Sequence, residues 1–209
     1  MTSDLFITGT DTDVGKTVLS ALLVATLGRK YWKPIQTGAR EGTDRQTVMR
    51  WAAITADQAY PETYLFDAPV SPHLAARLQG TIIDLQRIRR PASADPIIIE
   101  GAGGVLVPIN ENAFMLDLIG KLEAPAIVAC RTALGTINHT LLTLSAIRQS
   151  RLTVNGVVMI GTENVENRLA IERYGDVPVI GWIPWLDKIN RDTLQEVFEQ
   201  KFDRHAFQI

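Results

Sequence analysis

Gly9-Thr10-Asp11-Thr12-Asp13-Val14-Gly15-Lys16-Thr17 decides how the rest of the chain is read. It follows the apolar run Leu5-Phe6-Ile7 and precedes Val18, Leu19, Leu22, Leu23 and Leu27, which recur at helical spacing. A glycine-rich turn between a buried strand and a helix is what a polyphosphate requires. Glycines let backbone N–H groups approach closely, the helix N-terminus points at the anion, and Lys16 adds a mobile positive charge. The Thr17 hydroxyl is placed to ligate Mg²⁺. A glycine turn with a chance Lys-Thr pair is the plain alternative, and the flanking strand and helix argue against it. Five residues separate Gly9 from Gly15, where the ordinary loop has four. That extra residue, and the lack of an Asn-Lys-x-Asp guanine-reading motif, argue against a GTPase or a nucleoside kinase.

Outward from this loop, short apolar runs alternate with helical periodicity. Tyr31 to Ile35 is predicted to be extended, and Ile97-Ile98-Ile99 is a continuous apolar strand stopping at Glu100. Ala126 to Cys130, Val154 to Ile160 and Val177 to Ile183 read as further strands. Ile137, Leu141, Leu144 and Ile147 mark one side of a helix, and residues 190–202 form a closing amphipathic helix. Strands buried on both faces and separated by helices call for an α/β fold: a doubly wound, mostly parallel sheet with helices on both faces, of the phosphate-loop NTPase type. With no repeat, low-complexity tract or long linker, one domain over residues 1–209 is expected.

Composition narrows the function classes. With 46% hydrophobic and 21% charged residues, the chain can bury a substantial core. A formal charge of −2 without a long basic run gives no electrostatic support for nucleic-acid or membrane binding. One cysteine, Cys130, excludes an internal disulfide and is expected to be a small buried hydrophobe in a strand. No apolar run reaches the ~18 residues a membrane span needs, and no charged leader precedes the first strand. A cytoplasmic protein is expected.

The wording of the loop, with its extra residue, resembles that of the dethiobiotin synthetases. The resemblance continues through Tyr31-Trp32-Lys33-Pro34-Ile35-Gln36-Thr37-Gly38, Ser71-Pro72-His73, and Glu100-Gly101-Ala102-Gly103-Gly104. It extends to Leu134-Gly135-Thr136-Ile137-Asn138-His139 and Gly181-Trp182-Ile183-Pro184-Trp185-Leu186. It implies ATP as co-substrate, Mg²⁺ as cofactor, and a reaction joining CO₂ to 7,8-diaminononanoate. One amine captures CO₂ as a carbamate, the carbamate attacks the γ-phosphate, and the second amine closes a cyclic urea as phosphate leaves. Such chemistry gathers negative charge, so it needs fixed cations more than a proton shuttle. Lys16 and Lys33 are the expected catalytic residues.

The resemblance assigns the nucleotide to Asp13, Val14, Gly15, Lys16, Thr17 and Val18, to Asp44, to Glu100, Gly101, Ala102 and Gly103, and to Ile160, Gly161, Pro184, Trp185 and Leu186. The metal goes to Thr17, Asp44 and Glu100, all hard oxygen donors. Asp44 also reads as the N-cap of a helix from Arg45 to Ile54, and capping need not exclude metal binding. Thr12 and Thr37 are expected to contact the substrate. Gly135, Thr136, Ile137 and Asn138, at a helix start, read either as an ordinary cap or as a grip on the substrate carboxylate. In the family this turn serves the neighbouring subunit's site, which implies a homodimer with shared active sites.

Ser71 with Pro72 reads as a helix opening, and His73 and His139 as packing or supporting residues rather than bases. Where the family pattern ends a strand in Asn, this chain has Ile160, which packs on a purine but offers no hydrogen bond. Asn164 is the nearest polar substitute. Two rivals fit less well. Cobyrinate-type amide ligases carry an added amidotransferase domain, for which this chain is too short. Partitioning ATPases carry an early second loop lysine and lack the Lys33-Pro34 block.

Overall fold

β1 (Leu5–Gly9) is buried along its whole length and runs straight into the phosphate loop. In the computed structural model, which describes residues 4–207, every strand pair is parallel. After α1 (Lys16–Leu27) come β2 (Lys30–Trp32), β3 (Ile35–Gln36), α2 (Asp44–Ala52), β4 (Ala59–Tyr60) and β5 (Tyr64–Leu65). Then follow α3 (Pro72–Leu78), β6 (Ile97–Gly104), α4 (Met115–Leu122), β7 (Ala126–Arg131) and α5 (Thr136–Gln149). β8 (Val154–Ile160), α6 (Val165–Gly175), β9 (Val179–Ile183) and α7 (Arg191–Lys201) complete the set. The main sheet has the order β4-β2-β6-β1-β7-β8-β9, and β3 pairs with β5 beside it.

Strand periodicity sorts the core into two layers. Leu5, Ile7, Ile98, Ile127, Ala129 and Val158 face α1, α2 and α7. Their alternates Phe6, Ile97, Ile99, Val128, Cys130 and Val157 face the layer that holds Ala75, Leu118, Leu144 and Ile171 from the other four helices. Both sheet faces are covered, as doubly wound parallel sheets require. Cys130 is fully buried, as its strand position predicts. Among the described residues no helix is long and apolar enough to cross a membrane.

Several boundaries depart from the sequence reading, and proline accounts for two. The extended segment Tyr31 to Ile35 is two strands in two sheets. Pro34 has no N–H for the ladder, so the chain leaves the main sheet at Lys33. The Pro34 carbonyl instead accepts from the N–H groups of Thr63 and Tyr64. The last strand starts at Val179 rather than Val177, immediately after Pro178. β6 does not stop at Glu100 but continues to Gly104, which pairs with Gly9.

Helix ends follow local chemistry. Thr43, not Asp44, is the N-cap of α2: it forms a capping box with Gln46, leaving the Asp44 carboxylate free to turn inward. Pro72 opens α3 as expected, but Ser71 makes no side-chain cap; its Oγ lies 3.1 Å from His73 Nδ1. Asn164 and Asn190 cap α6 and α7.

The core assignment is tested by contrast. Ile98→Ala, at a site with no exposure near the start of β6, is expected to lower urea-unfolding stability by about 3 kcal/mol. Leu134→Ala, at a fully exposed site, is expected to change the isolated chain's stability by less than about 0.5 kcal/mol.

Candidate active site

The phosphate loop is shaped by backbone constraints at its two ends. A side chain at Gly9 would place its Cβ 2.6 Å from Val14 Cγ2, so only glycine lets the loop fold back on itself. Gly15 has φ +98° and directs the chain into α1, whose N-terminus then faces the cleft. Val14 is buried beneath the turn. Across the top, the exposed Arg131 donates to the carbonyls of Thr12 and Asp13 at 3.1 and 3.3 Å. Sequence reading missed this strut, because nothing local marks a strand-end arginine as a partner of a loop over a hundred residues earlier.

Below the loop, charged groups from four elements converge. Lys16 Nζ donates to the Asp11 carbonyl at 3.0 Å. Thr17 Oγ1 lies 3.1 Å from Asp44 Oδ1 and 3.0 Å from Glu100 Oε1. Lys33 Nζ is ion-paired with Asp44 Oδ2, and with Glu100 Oε1 at 3.1 Å. The Lys33 and Glu100 side chains are almost completely buried, so each charge needs the other. Two supporting contacts were not read from the sequence: Tyr31 donates its hydroxyl to Glu100 Oε2 at 3.0 Å, and Gln36 Oε1 accepts from the Asp44 N–H at 3.0 Å.

The electrostatics follow from burial and pairing. Burial lowers the Lys16 ammonium to about 8, with Glu100 pulling the other way. Burial would lower Lys33 too, but the carboxylates of Glu100 and Asp44 outweigh it and hold its pKa above the ordinary value. For Asp44, burial opposes ionisation, and Lys33 prevails, holding its carboxyl below the usual range. Both Lys33 and Asp44 therefore remain charged at neutral pH.

These groups line a cleft of about 880 Å³ at the C-terminal edge of the sheet. It gathers Thr12, Asp13, Gly15, Lys16, Thr17, Val18, Lys33, Thr37, Asp44, Glu100, Ala102 and Gly103. Trp51, Val107 and Ile189 also line it, without having been singled out in the sequence. Gly101 lies in β6 against the Phe6 ring rather than in the cleft.

This geometry has relatives. A sequence family described as an AAA domain matches residues 3–193. The ATP-dependent dethiobiotin synthetase BioD of Rhodopseudomonas palustris is 42% identical over 99% of this chain and 97% of its own length. That of Paramagnetospirillum magneticum is 49% identical over 91% of this chain and 92% of its own. The chain belongs to the ATP-dependent dethiobiotin synthetase family. A ParA family ATPase from Chlorobium tepidum, 12% identical, covers 95% of this chain and 91% of its own with a TM-score of 0.57, which shares the fold alone.

Two groups of residues that the family resemblance singles out lie apart from the cleft. Gly135 to Asn138 form the turn and first helical residues of α5, with Asn138 exposed and Gly135 at φ +95°. The Thr136 hydroxyl is bound to the Arg131 carbonyl. At the other end, Ile160 is buried, its side chain packed under Gly15 and the start of α1. Gly161 is fixed by Trp182 Nε1, which donates to its carbonyl at 2.8 Å, and by its own N–H bond to the Ile183 carbonyl. Trp185 stands mostly exposed on the next loop, followed by Leu186, and Asn164 Oδ1 accepts from the Asn167 N–H as the cap of α6.

The depressed Lys16 pKa carries a sign that calorimetry can read. Unfolded, this lysine titrates near 10.5; folded, near 8. Between those values the unfolded chain holds more protons, so the cost of burying the charge fades as pH rises through the window. A bound polyphosphate favours the charged form. ATP binding at pH 8, titrated in buffers of different ionisation enthalpy, is therefore expected to take up about half a proton per site. Absence of uptake at pH 8 would place the free Lys16 pKa higher.

Proposed function

We propose that this chain is an ATP-dependent dethiobiotin synthetase, forming dethiobiotin from 7,8-diaminononanoate, CO₂ and ATP with release of ADP and phosphate. The observation that carries this reading is the meeting of Lys16 and Lys33 with Thr17, Asp44 and Glu100 around one cleft beneath the phosphate loop. Carbamate and phosphoryl oxygens are anionic throughout, and two lysines beside a helix N-terminus stabilise that charge without moving a proton.

The donor set suits magnesium. Thr17 Oγ1, Asp44 Oδ1 and Glu100 Oε1 are hard oxygens already within hydrogen-bonding distance through Thr17. Two carboxylates and one hydroxyl suit an ion that keeps several waters and shares its shell with phosphate. Thr17, Asp44 and Glu100 would hold Mg²⁺, which when bound neutralises phosphate charge. Asp13, Val14, Gly15 and Val18 form the backbone cradle, and Lys16 leaves the Asp11 carbonyl to grip the phosphates. Lys33 lies where it holds the carbamate against them. Thr12 and Thr37, which both line the cleft, hold the diamine.

Gly135, Thr136, Ile137 and Asn138 act on a second copy, gripping the substrate's carboxylate tail at the N-terminus of α5. The exposure of Asn138 outside its own cleft supports a homodimer with shared sites. The base rests against Gly161, Pro184, Trp185 and Leu186, with Ile160 supporting the loop beneath. We take residues 1–209 as one domain working in the cytoplasm on small molecules, with no role for nucleic acid or membrane.

Phosphate release is expected to require both the diamine and bicarbonate; release stimulated instead by DNA or lipid would favour a switch ATPase. Lys33→Gln keeps an N–H donor toward Asp44 and Glu100 but loses the charge. It is expected to retain native circular dichroism and lose at least ~10²-fold in turnover at saturating substrates. Near-normal turnover would remove Lys33 from the catalytic set.

The shared site is tested by complementation. Mixed Asn138 and Lys33 mutants form heterodimers with one doubly defective site and one intact site, so partial activity is expected to return. No recovery, with subunit exchange verified separately, would reject sharing.

A further inference from the structure

Glu100 presents two oxygens to different surroundings. Oε1 faces the cleft and receives Thr17 and Lys33. Oε2 points into the sheet, where among the described residues it accepts only from the Tyr31 hydroxyl, at 3.0 Å. β2 and β6 are parallel neighbours with Tyr31 opposite Ile98, so Glu100, two residues on, projects from the same face as Tyr31. The rest of the Tyr31 ring lies in the apolar layer among Leu5, Ile7, Leu22 and Ile98.

We infer that Tyr31 is a positioning residue for the reaction: its hydroxyl holds Glu100 Oε2 so that Oε1 is presented to the cleft. The inference rests on the reading of Glu100 as a magnesium ligand. A carboxylate's terminal torsion is soft and two-fold, so nothing in the Glu100 side chain itself fixes the tilt of its carboxylate plane. A single donor on the buried side fixes it. Phenylalanine would fill the same apolar space at no desolvation cost, so the hydroxyl is explained by Glu100 and not by packing. Gln36 plays the matching part for Asp44 by holding its backbone N–H. Partners of this kind orient a metal's ligands without touching the metal.

The test uses Tyr31→Phe, Glu100→Gln and the double variant. Mn²⁺ binding is followed by electron paramagnetic resonance with a non-hydrolysable ATP analogue, beside the Mg²⁺ dependence of turnover and the KM for the diamine. Tyr31→Phe is expected to weaken Mn²⁺ binding about ten-fold or more and to raise the Mg²⁺ requirement equally. The diamine KM at saturating Mg²⁺ is expected to stay unchanged. In the Glu100→Gln background the same change is expected to add nothing, because Tyr31 acts through that carboxylate. Unchanged Mn²⁺ binding in Tyr31→Phe, or equal weakening in both backgrounds, overturns the inference while leaving Glu100 as a ligand. Loss of the fold in Tyr31→Phe assigns the hydroxyl to stability and also overturns it. If Glu100→Gln itself binds Mn²⁺ normally, the magnesium reading of Glu100 fails and the inference falls with it.

Discussion

The carboxylate of Glu100 sits on an interior strand of a seven-stranded sheet with essentially no exposure. An ion in that position is tolerated only if counter-charge and hydrogen-bond donors surround it. Lys33 supplies the charge, Thr17 and Tyr31 the donors, and Asp44 shares the same lysine. These groups come from α1, β2, the break after it and α2, so the site requires all of those elements to be in register. Satisfying Glu100 and building a cleft of balanced charge are one structural problem. Removing Lys33 entirely would leave two carboxylates facing each other in a poorly solvated place, which is why the lysine is buried rather than merely nearby.

Pro34 shows how one residue turns a strand into a site. Had β2 continued, Lys33 would have remained a rung of the main sheet. The missing N–H ends the ladder there, and the chain restarts as β3 beside β5. That restart carries Gln36 to the N-terminus of α2, where it binds the Asp44 N–H. The capping work falls to Thr43 and Gln46. Asp44 is thereby freed from the local role that its position before a helix suggests, and its carboxylate turns to Thr17 and Lys33.

What the sequence made legible was whatever lies in one contiguous stretch or one long apolar run. The loop from Gly9 to Thr17 announces both its turn and its helix, and the isoleucine run into Glu100 announces a buried strand with a terminal acid. Partners that depend on register stayed hidden. Tyr31 and Trp32 are both buried in a three-residue strand, so alternation cannot tell which faces the acid. That choice is fixed only when Tyr31 pairs with Ile98. Arg131 was invisible for the same reason, since its contacts to the loop depend on β7 lying beside β1. The misplaced boundaries at Glu100 and Val177 have a smaller cause: glycine carries no hydrophobic signal, and Pro178 separates an apolar residue from the strand it seems to begin.

The end of β8, which the proposed reading gives to the base, carries Ile160 in a packing role. Ile160 closes β8, but its side chain lies under Gly15, a position that supports the phosphate loop from below. Two neighbouring polar groups are engaged: the Gly161 carbonyl accepts from the Trp182 indole, and Asn164 Oδ1 caps α6. The ring of Trp185 also stands exposed there. A flat indole recognises a purine by area and stacking, which every base offers, whereas hydrogen bonds to its edge separate one base from another. On the proposed reading, what this end offers a base is an exposed indole face, which discriminates by area and stacking.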